Sequence, residues 1–167
     1  LDQLRARLAK FPPTVQEAGK ELLVRLNVDP AKQAAHLDQV LTELQQHPGD
    51  IRRGQALFNS PKTACSTCHT MGYLGGKVGP DLTSIGQIRT ERDLLEAVVY
   101  PNASFVRSFE PVMVSMKDGD VFPGVVRSES DEEILLVIGA GNEQRLARRD
   151  IAEMRPGMLS VMPQGLD

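Results

Sequence analysis

Cys65-Ser66-Thr67-Cys68-His69 is the stretch that decides how the rest of the chain is interpreted. It contains both cysteines of the 167-residue chain and one of its three histidines. Two cysteines separated by two residues and followed directly by histidine form the sequence pattern of a covalent haem attachment site. Each thiol can form a thioether with one vinyl group of the haem, and the neighbouring imidazole can then bind the iron. The pattern predicts one haem c per chain, bound through Cys65 and Cys68 with His69 as an iron ligand.

Three other interpretations of the cysteine pair account for less of the surrounding sequence. A thioredoxin-like redox pair requires a hydrophobic strand before the motif, whereas residues 58–64 are polar and contain Pro61. A closed zinc site requires two further ligands, and only His36 and His47 remain, both upstream on a predicted helix and its end. A short disulfide loop leaves His69 without a role.

Length and charge restrict the class of protein. The chain is long enough for one to two domains. Its net charge of −3 and the absence of a basic run argue against a nucleic-acid partner. No apolar stretch approaches the ~20 residues of a membrane-spanning helix. The sequence starts at Leu1 without a secretion signal. Because thioethers to haem form outside the cytoplasm in known families, we expect an exported, for example periplasmic, precursor.

Residues 1–48 are predicted to form a helical extension in front of a second domain, residues 49–167. Asp29 followed by Pro30 is typical of a helix start. The segment is either the end of a helical-repeat array or an extension packed on the second domain. The prediction of helices in this segment rests on three apolar stripes with helical spacing: Leu1, Leu4, Leu8 and Phe11; Val15, Ala18, Leu22 and Leu26; Ala34, Leu37, Leu41 and Leu44.

Two further helices are predicted on either side of the haem motif. Asp50 is a suitable N-cap for a helix leading into the motif, and Gly54 within it would permit close crossing by another helix. Thr90 and Asp93 form a capping-box pattern for a helix that ends before Pro101. The Gly-rich residues 72–79 between them are predicted to be a flexible loop.

Residues 109–147 change to a strand pattern. Alternating apolar residues at 112–116 precede Asp118-Gly119, a favoured hairpin turn, and apolar runs follow at 121–126 and 134–138. A turn at 139–142 then leads into a further strand at 144–147. This pattern predicts a small antiparallel sheet of about four strands. The expected fold class is therefore mainly α with an inserted β-sheet.

The order of these motifs resembles class I c-type cytochromes. Gly54 with an aromatic residue four positions later, the cysteine-histidine motif and a Gly-Pro-x-Leu turn at 79–82 occur in that order. The Asp-Gly hairpin and the segments 148–151 and 160–166 narrow the resemblance to the haem-binding domain of Pirellula/Verrucomicrobium type. It spans about residues 50–167. It implies a cytochrome c-like helical haem fold at the C-terminal end of a large exported, dehydrogenase-like protein.

The same resemblance implies a set of cofactor-binding residues. The Pro80 carbonyl would accept a hydrogen bond from His69, and Met162, followed by Pro163, would supply the second axial ligand to the iron. Met158 is the nearest competitor for that position. His36 and His47 remain as less favoured alternatives.

These expectations define an electron-transfer domain, not an enzyme with its own substrate. It would pass single electrons from a fused or docked dehydrogenase to a downstream acceptor. The alternative is a haem-based gas sensor with an open or displaceable sixth site. A third hypothesis makes the sheet an interaction module and the haem mainly structural.

A homodimer is a further expectation. The resemblance implies a further helix beyond Asp167 that crosses the first helix near Gly54; either the sequence was cut there or another element covers that groove. Without such cover, Leu57 and Phe58 would form an apolar patch suited to a partner or a second copy of the chain.

Overall fold

The computed structural model describes residues 6–26 and 29–166. The chain divides into two compact units, Leu1–Gln45 and Gln46–Asp167. The sequence placed the boundary between residues 48 and 49, just after the second helix of the structure.

The first unit is helical. Helix α1 is Pro13–Leu26 and helix α2 is Pro30–Gln46. The side-chain oxygen Oδ1 of Asp29 accepts the backbone N–H of Ala31 at 3.1 Å, so the predicted N-cap is confirmed. Of one predicted apolar stripe, Leu37 is buried at 1% exposure, whereas Leu44 is 46% exposed. Leu1, Leu4 and the side chains of Leu22 and Leu26 lie outside the described residues.

Short helices and a two-residue hairpin form the first half of the second unit. The elements are α3 Ile51–Phe58, α4 Cys65–Cys68, β1 Thr70–Met71, β2 Leu74–Gly75, α5 Ile85–Ile88 and α6 Glu91–Val99. Asp50 caps α3 by accepting the Arg53 N–H at 2.7 Å. Thr90 and Asp93 form the predicted capping box of α6. Both predicted helix starts are therefore confirmed.

Five antiparallel strands form the second half of this unit. They are β3 Pro111–Met116, β4 Val121–Glu129, β5 Glu133–Gly139, β6 Asn142–Ala147 and β7 Ile151–Pro156, in the sheet order β6-β5-β4-β3-β7. The sequence missed β7. This strand lies at the edge of the sheet and only Ile151 in it is even half-buried, so it lacks an apolar pattern.

The buried apolar core of the second unit lies on the sheet. Val114 and Leu136 are fully buried, and Leu146 packs with them. Six partly buried side chains surround this cluster: Val112, Met116, Phe122, Val126, Ile138 and Ile151. By contrast, no residue between 46 and 98 is buried.

The predicted fold class, mainly α with an inserted sheet, is wrong for this domain. The structure is a mixed α/β unit in which a five-stranded antiparallel sheet carries the core. Helices α4 and α5 have four residues each, too short to bury a helical core. A cytochrome c-like helical haem fold therefore does not describe residues 49–167.

The expected helix crossing at Gly54 is also absent from the described residues. A Cβ atom built on Gly54 would have nothing within 4 Å outside its own helix. Gly54 is therefore not needed for close packing in this structure.

Candidate functional site

The cysteine-histidine motif forms a single helical turn, α4. Ala64 precedes it with a left-handed φ of 52°, which turns the chain sharply into Cys65. The His69 N–H donates to the Cys65 carbonyl at 2.9 Å and closes the turn. Both cysteines are free thiols and half-buried. The structure thus presents two free thiols one turn apart with the histidine directly after them.

His69 has one ring nitrogen fixed by the backbone. Its Nδ1 lies 2.8 Å from the carbonyl oxygen of Pro80. A carbonyl oxygen can only accept, so Nδ1 carries the proton and Nε2 of the neutral ring keeps its lone pair. This is the hydrogen bond that the sequence resemblance implied. It leaves Nε2 as the ring atom able to bind a metal.

Gly79 allows the chain to pass directly against the His69 ring. A Cβ atom at this position would lie 2.5 Å from Cε1 of His69. The backbone N–H of Gly79 donates to the Cys68 carbonyl at 2.8 Å, which holds the loop in this place. Gly79 therefore belongs to the site because any side chain there would displace the imidazole.

Gly76 allows the same loop to pass close to the backbone of the motif helix. Its N–H donates to the Ser66 carbonyl at 2.9 Å, and a Cβ there would lie 1.9 Å from the carbonyl oxygen of Thr67. The sequence predicted a flexible loop over residues 72–79. The structure shows a loop bonded at several points to the motif, and glycines permit the close backbone contacts there.

Two threonines extend this network, and the sequence analysis did not single them out. Thr70 Oγ1 donates to the Gly76 carbonyl at 2.8 Å, and the Gly72 N–H donates to Thr83 Oγ1 at 2.9 Å. The Thr83 N–H in turn donates to Asp81 Oδ1 at 2.7 Å. Hydrogen bonds from Thr83 lower the pKa of the Asp81 carboxyl below its ordinary value. A short polar residue in a loop gives no sequence signal for such contacts.

The Cys68 thiol is half-buried. Burial, reinforced by the neighbouring Cys65, raises the pKa of Cys68 above its ordinary value. A raised pKa keeps this sulfur as a neutral thiol at neutral pH. A reactive redox cysteine shows the opposite shift, so the thioredoxin-like interpretation gains no support from this environment.

Met162 lies in the irregular segment after β7. Its side chain is half-buried, whereas Met158 is 84% exposed. The Met162 N–H donates to Ser160 Oγ at 3.1 Å. Of the alternative ligands, His47 is exposed after α2, and His36 lies within α2 in the first unit. Met162 is thus the less solvent-exposed of the two methionines considered for the iron.

Large apolar side chains are exposed in the motif half of the second unit and in the segment after β7. Leu57, in the predicted apolar patch, is 53% exposed, while Phe58 is half-buried. The others at the surface are Ile51, Met71, Tyr73, Leu74, Ile88, Val98, Val106, Met158 and Leu159. This half of the unit therefore offers apolar surface for contact with another group.

The described part of the chain, residues 6–26 and 29–166, has neither a metal-ligand cluster nor a membrane-spanning helix. No three His, Cys, Asp or Glu side chains there are grouped as ligands for one metal ion. Within the same residues, no helix has the length and hydropathy needed to cross a membrane.

Comparisons with known proteins do not assign the chain to a family. No protein-family model matches it, and neither does any curated protein. Among solved structures, it is similar to a crystal structure of the pleiotropic translational regulator Hfq. The identity is 15%, the TM-score is 0.28, and the match covers 40% of this chain and 89% of that chain.

The resemblance to class I c-type cytochromes, and to the Pirellula/Verrucomicrobium haem-binding domain among them, is corrected by these findings. No family model supports it. The helical core that it implied is replaced by a five-stranded antiparallel sheet with its own buried cluster. Short motifs carried the resemblance, and they describe the local site but not the fold around it.

Proposed function

We propose that this chain binds one haem c covalently and transfers single electrons. Cys65 and Cys68 would form the two thioethers, and His69 would bind the iron through Nε2. The observation that carries the proposal is the hydrogen bond between His69 Nδ1 and the Pro80 carbonyl at 2.8 Å. It fixes the tautomer and orientation that an iron-binding imidazole requires.

The residues at the motif fit this group in three respects. Both sulfurs are free and half-buried. The two thiols lie one helical turn apart, so each S–H could add across one vinyl double bond, with sulfur bonding to one carbon and hydrogen to the other. Gly79 keeps the His69 ring in place by allowing backbone contact with its edge. When bound, the haem iron would supply the one-electron couple between its ferrous and ferric states.

Met162 is the proposed second axial ligand. Together with His69 it would hold the iron, and thioether ligation would favour the ferrous state and raise the reduction potential. The half-buried side chain and the hydrogen bond from its N–H to Ser160 support Met162 over the exposed Met158. If neither methionine binds, the iron has an open position and the gas-sensor function becomes the better description.

The proposed partners are other redox proteins. An electron donor, either a fused or a docked dehydrogenase, would reduce the haem, and a downstream acceptor would oxidise it. Exposed apolar side chains such as Leu57, Tyr73 and Leu74 offer a surface for such contacts or for a homodimer. Export from the cytoplasm, for example to a periplasm, belongs to the same proposal because haem attachment takes place there.

The decisive experiment is production of the chain with an export signal in cells that carry haem-attachment machinery. Mass spectrometry of the denatured protein should show one added haem. Cys65→Ser and Cys68→Ser should each leave a single thioether, which changes the ferrous pyridine spectrum, and the double variant should lose covalent haem. His69→Ala should abolish incorporation, while His47→Ala, which alters an exposed histidine, should not. Folded wild-type protein without covalent haem would overturn the proposal.

A second measurement tests Met162. The ferric spectrum at neutral pH should contain the weak far-red charge-transfer band of a sulfur–iron bond. Met162→Ala should lose the band, and Met158→Ala should keep it. A wild-type high-spin spectrum that shifts when CO is added to the reduced protein would instead support the gas-sensor function.

A further inference from the structure

A single side chain, Asn102, connects the loop after α6 to the segment that carries Met162. Its Oδ1 accepts the backbone N–H of Ser160 at 2.6 Å. The two residues are 58 positions apart, and both are half-buried. Partial burial raises the cost of leaving the Ser160 N–H without a partner, so this bond constrains the segment.

Buried residues and a backbone hydrogen bond fix the loop that contains Asn102. Val99, the last residue of α6, is 7% exposed, and Pro101 is buried. The Ala103 N–H donates to the Tyr100 carbonyl at 2.8 Å, which closes a turn around Asn102. The acceptor oxygen is therefore held in place by buried neighbours and a backbone turn.

Ser160 connects Asn102 to Met162 through a second hydrogen bond. Its Oγ accepts the Met162 N–H at 3.1 Å, so the same residue bonds to Asn102 with its backbone and to Met162 with its side chain. The segment is also attached at its start, where the Gly157 N–H donates to the Pro111 carbonyl at 2.7 Å. Between these two attachments the side chain of Met158 is exposed, whereas Met162, beyond the second, is half-buried.

We infer that Asn102 is a positioning residue that holds Met162 for iron binding. This inference rests on the proposed function, because it assigns a role to Asn102 in the haem site that function requires. Loss of the acceptor releases the Ser160 N–H and, with it, the backbone of Met162. Met162 would then hold the iron for a smaller fraction of the time, and added ligands would compete for the iron more successfully.

The test compares three variants. Asn102→Ala removes the acceptor, and Asn102→Asp keeps an oxygen in the same place. Asn59→Ala is the matched control, because Asn59 Nδ2 donates to the Gln55 carbonyl within α3 and bonds to nothing in the Met162 segment. All three are made in the full chain.

The first readout is amide hydrogen exchange at Ser160 in the chain without haem. Asn102→Ala should speed exchange about fivefold to tenfold, as expected for loss of one hydrogen bond. Asn102→Asp and Asn59→Ala should leave the rate close to that of the wild type. Equal exchange rates in all four proteins would overturn the inference, whatever the haem does.

The second readout is imidazole binding to the ferric haem protein, followed by loss of the far-red band. Asn102→Ala should bind imidazole about tenfold more tightly, and Asn102→Asp should restore most of the wild-type resistance. Faster exchange at Ser160 with unchanged imidazole affinity would overturn the positioning role while the proposed function stands. Failure of the wild type to take up haem would overturn the proposed function, and this inference with it, before any variant is compared.

Discussion

Within the second unit, the motif half and the sheet half are each stabilised by a different kind of interaction. The sheet buries Val114 and Leu136 completely, whereas no residue between 46 and 98 is buried. In the motif half, the loop after His69 is fixed by backbone hydrogen bonds and by glycines that permit close contact, chiefly Gly76 and Gly79. The comparison teaches that apolar burial stabilises the sheet, while directional contacts set the geometry of the site.

This difference has a consequence for stability. A region with few buried apolar contacts opens more easily than a packed core. Under the proposed function, haem binding would add apolar contacts to the motif half and stabilise it by mass action. The sheet should then be the persistent part of the unit in the chain without haem.

The largest expected effect concerns the sheet core. Leu136→Ala should lower the free energy of unfolding of the second unit by about 2–5 kcal/mol, since it leaves a cavity in a fully buried cluster. Leu57→Ala in the chain without haem should change it by less than about 0.5 kcal/mol, because Leu57 is largely exposed. Urea unfolding followed by far-UV circular dichroism measures both. Equal losses of unfolding free energy in the two variants would contradict the view that apolar burial stabilises the sheet half more than the motif half.

The next effect concerns the contact between Gly79 and the His69 ring. Gly79→Ala places a methyl group against the His69 ring and should cost about 1–3 kcal/mol while breaking the Pro80 hydrogen bond. The hydrogen bond can be followed by NMR through the Nδ1 proton signal of His69. This signal should be lost in Gly79→Ala. Gly86→Ala is the control, because a Cβ there meets nothing within 4 Å. An unchanged His69 signal in Gly79→Ala would show that the loop can move aside.

A smaller effect of opposite sign is expected at Gly54. Gly54→Ala should stabilise α3 by about 0.5–1 kcal/mol, because alanine is the better helix former and the added methyl group has open space. Thermal unfolding with Leu57→Ala as the reference variant measures the change. Destabilisation would indicate that another chain or segment crosses the helix at Gly54, as the sequence originally suggested.

The smallest effect is a pH dependence at the start of α6. Hydrogen bonds from the backbone and side chain of Thr90, with a contribution from Arg89, lower the pKa of Asp93 in the folded chain. A lowered pKa stabilises the folded state above the ordinary carboxyl pKa, and this contribution is lost as the pH falls through the folded value. The protection factors of the α6 amides, which are exchange rates corrected for the pH dependence of intrinsic exchange, should therefore fall in acid. Asp93→Asn should flatten that dependence, whereas Asp118→Asn, in the hairpin turn, should not change it.

The sequence by itself determined the features that depend on neighbouring residues. Asp29, Asp50 and Thr90 were identifiable as helix caps because each contacts a backbone group two or three positions away. Asp118-Gly119 located the β3–β4 hairpin, where Gly119 has a φ of 102°. The cysteine-histidine motif likewise identified Cys65, Cys68 and His69 as candidate site residues.

Only the tertiary structure decided the fold class and the surroundings of the site. Strand β7 was not predictable because its register comes from pairing with β3, about 40 positions earlier, and not from its own pattern. The contact of Gly79 with His69 and the bond from Ser160 to Asn102 also join residues distant in sequence. Such contacts depend on where folding brings separate segments, which local spacing does not encode.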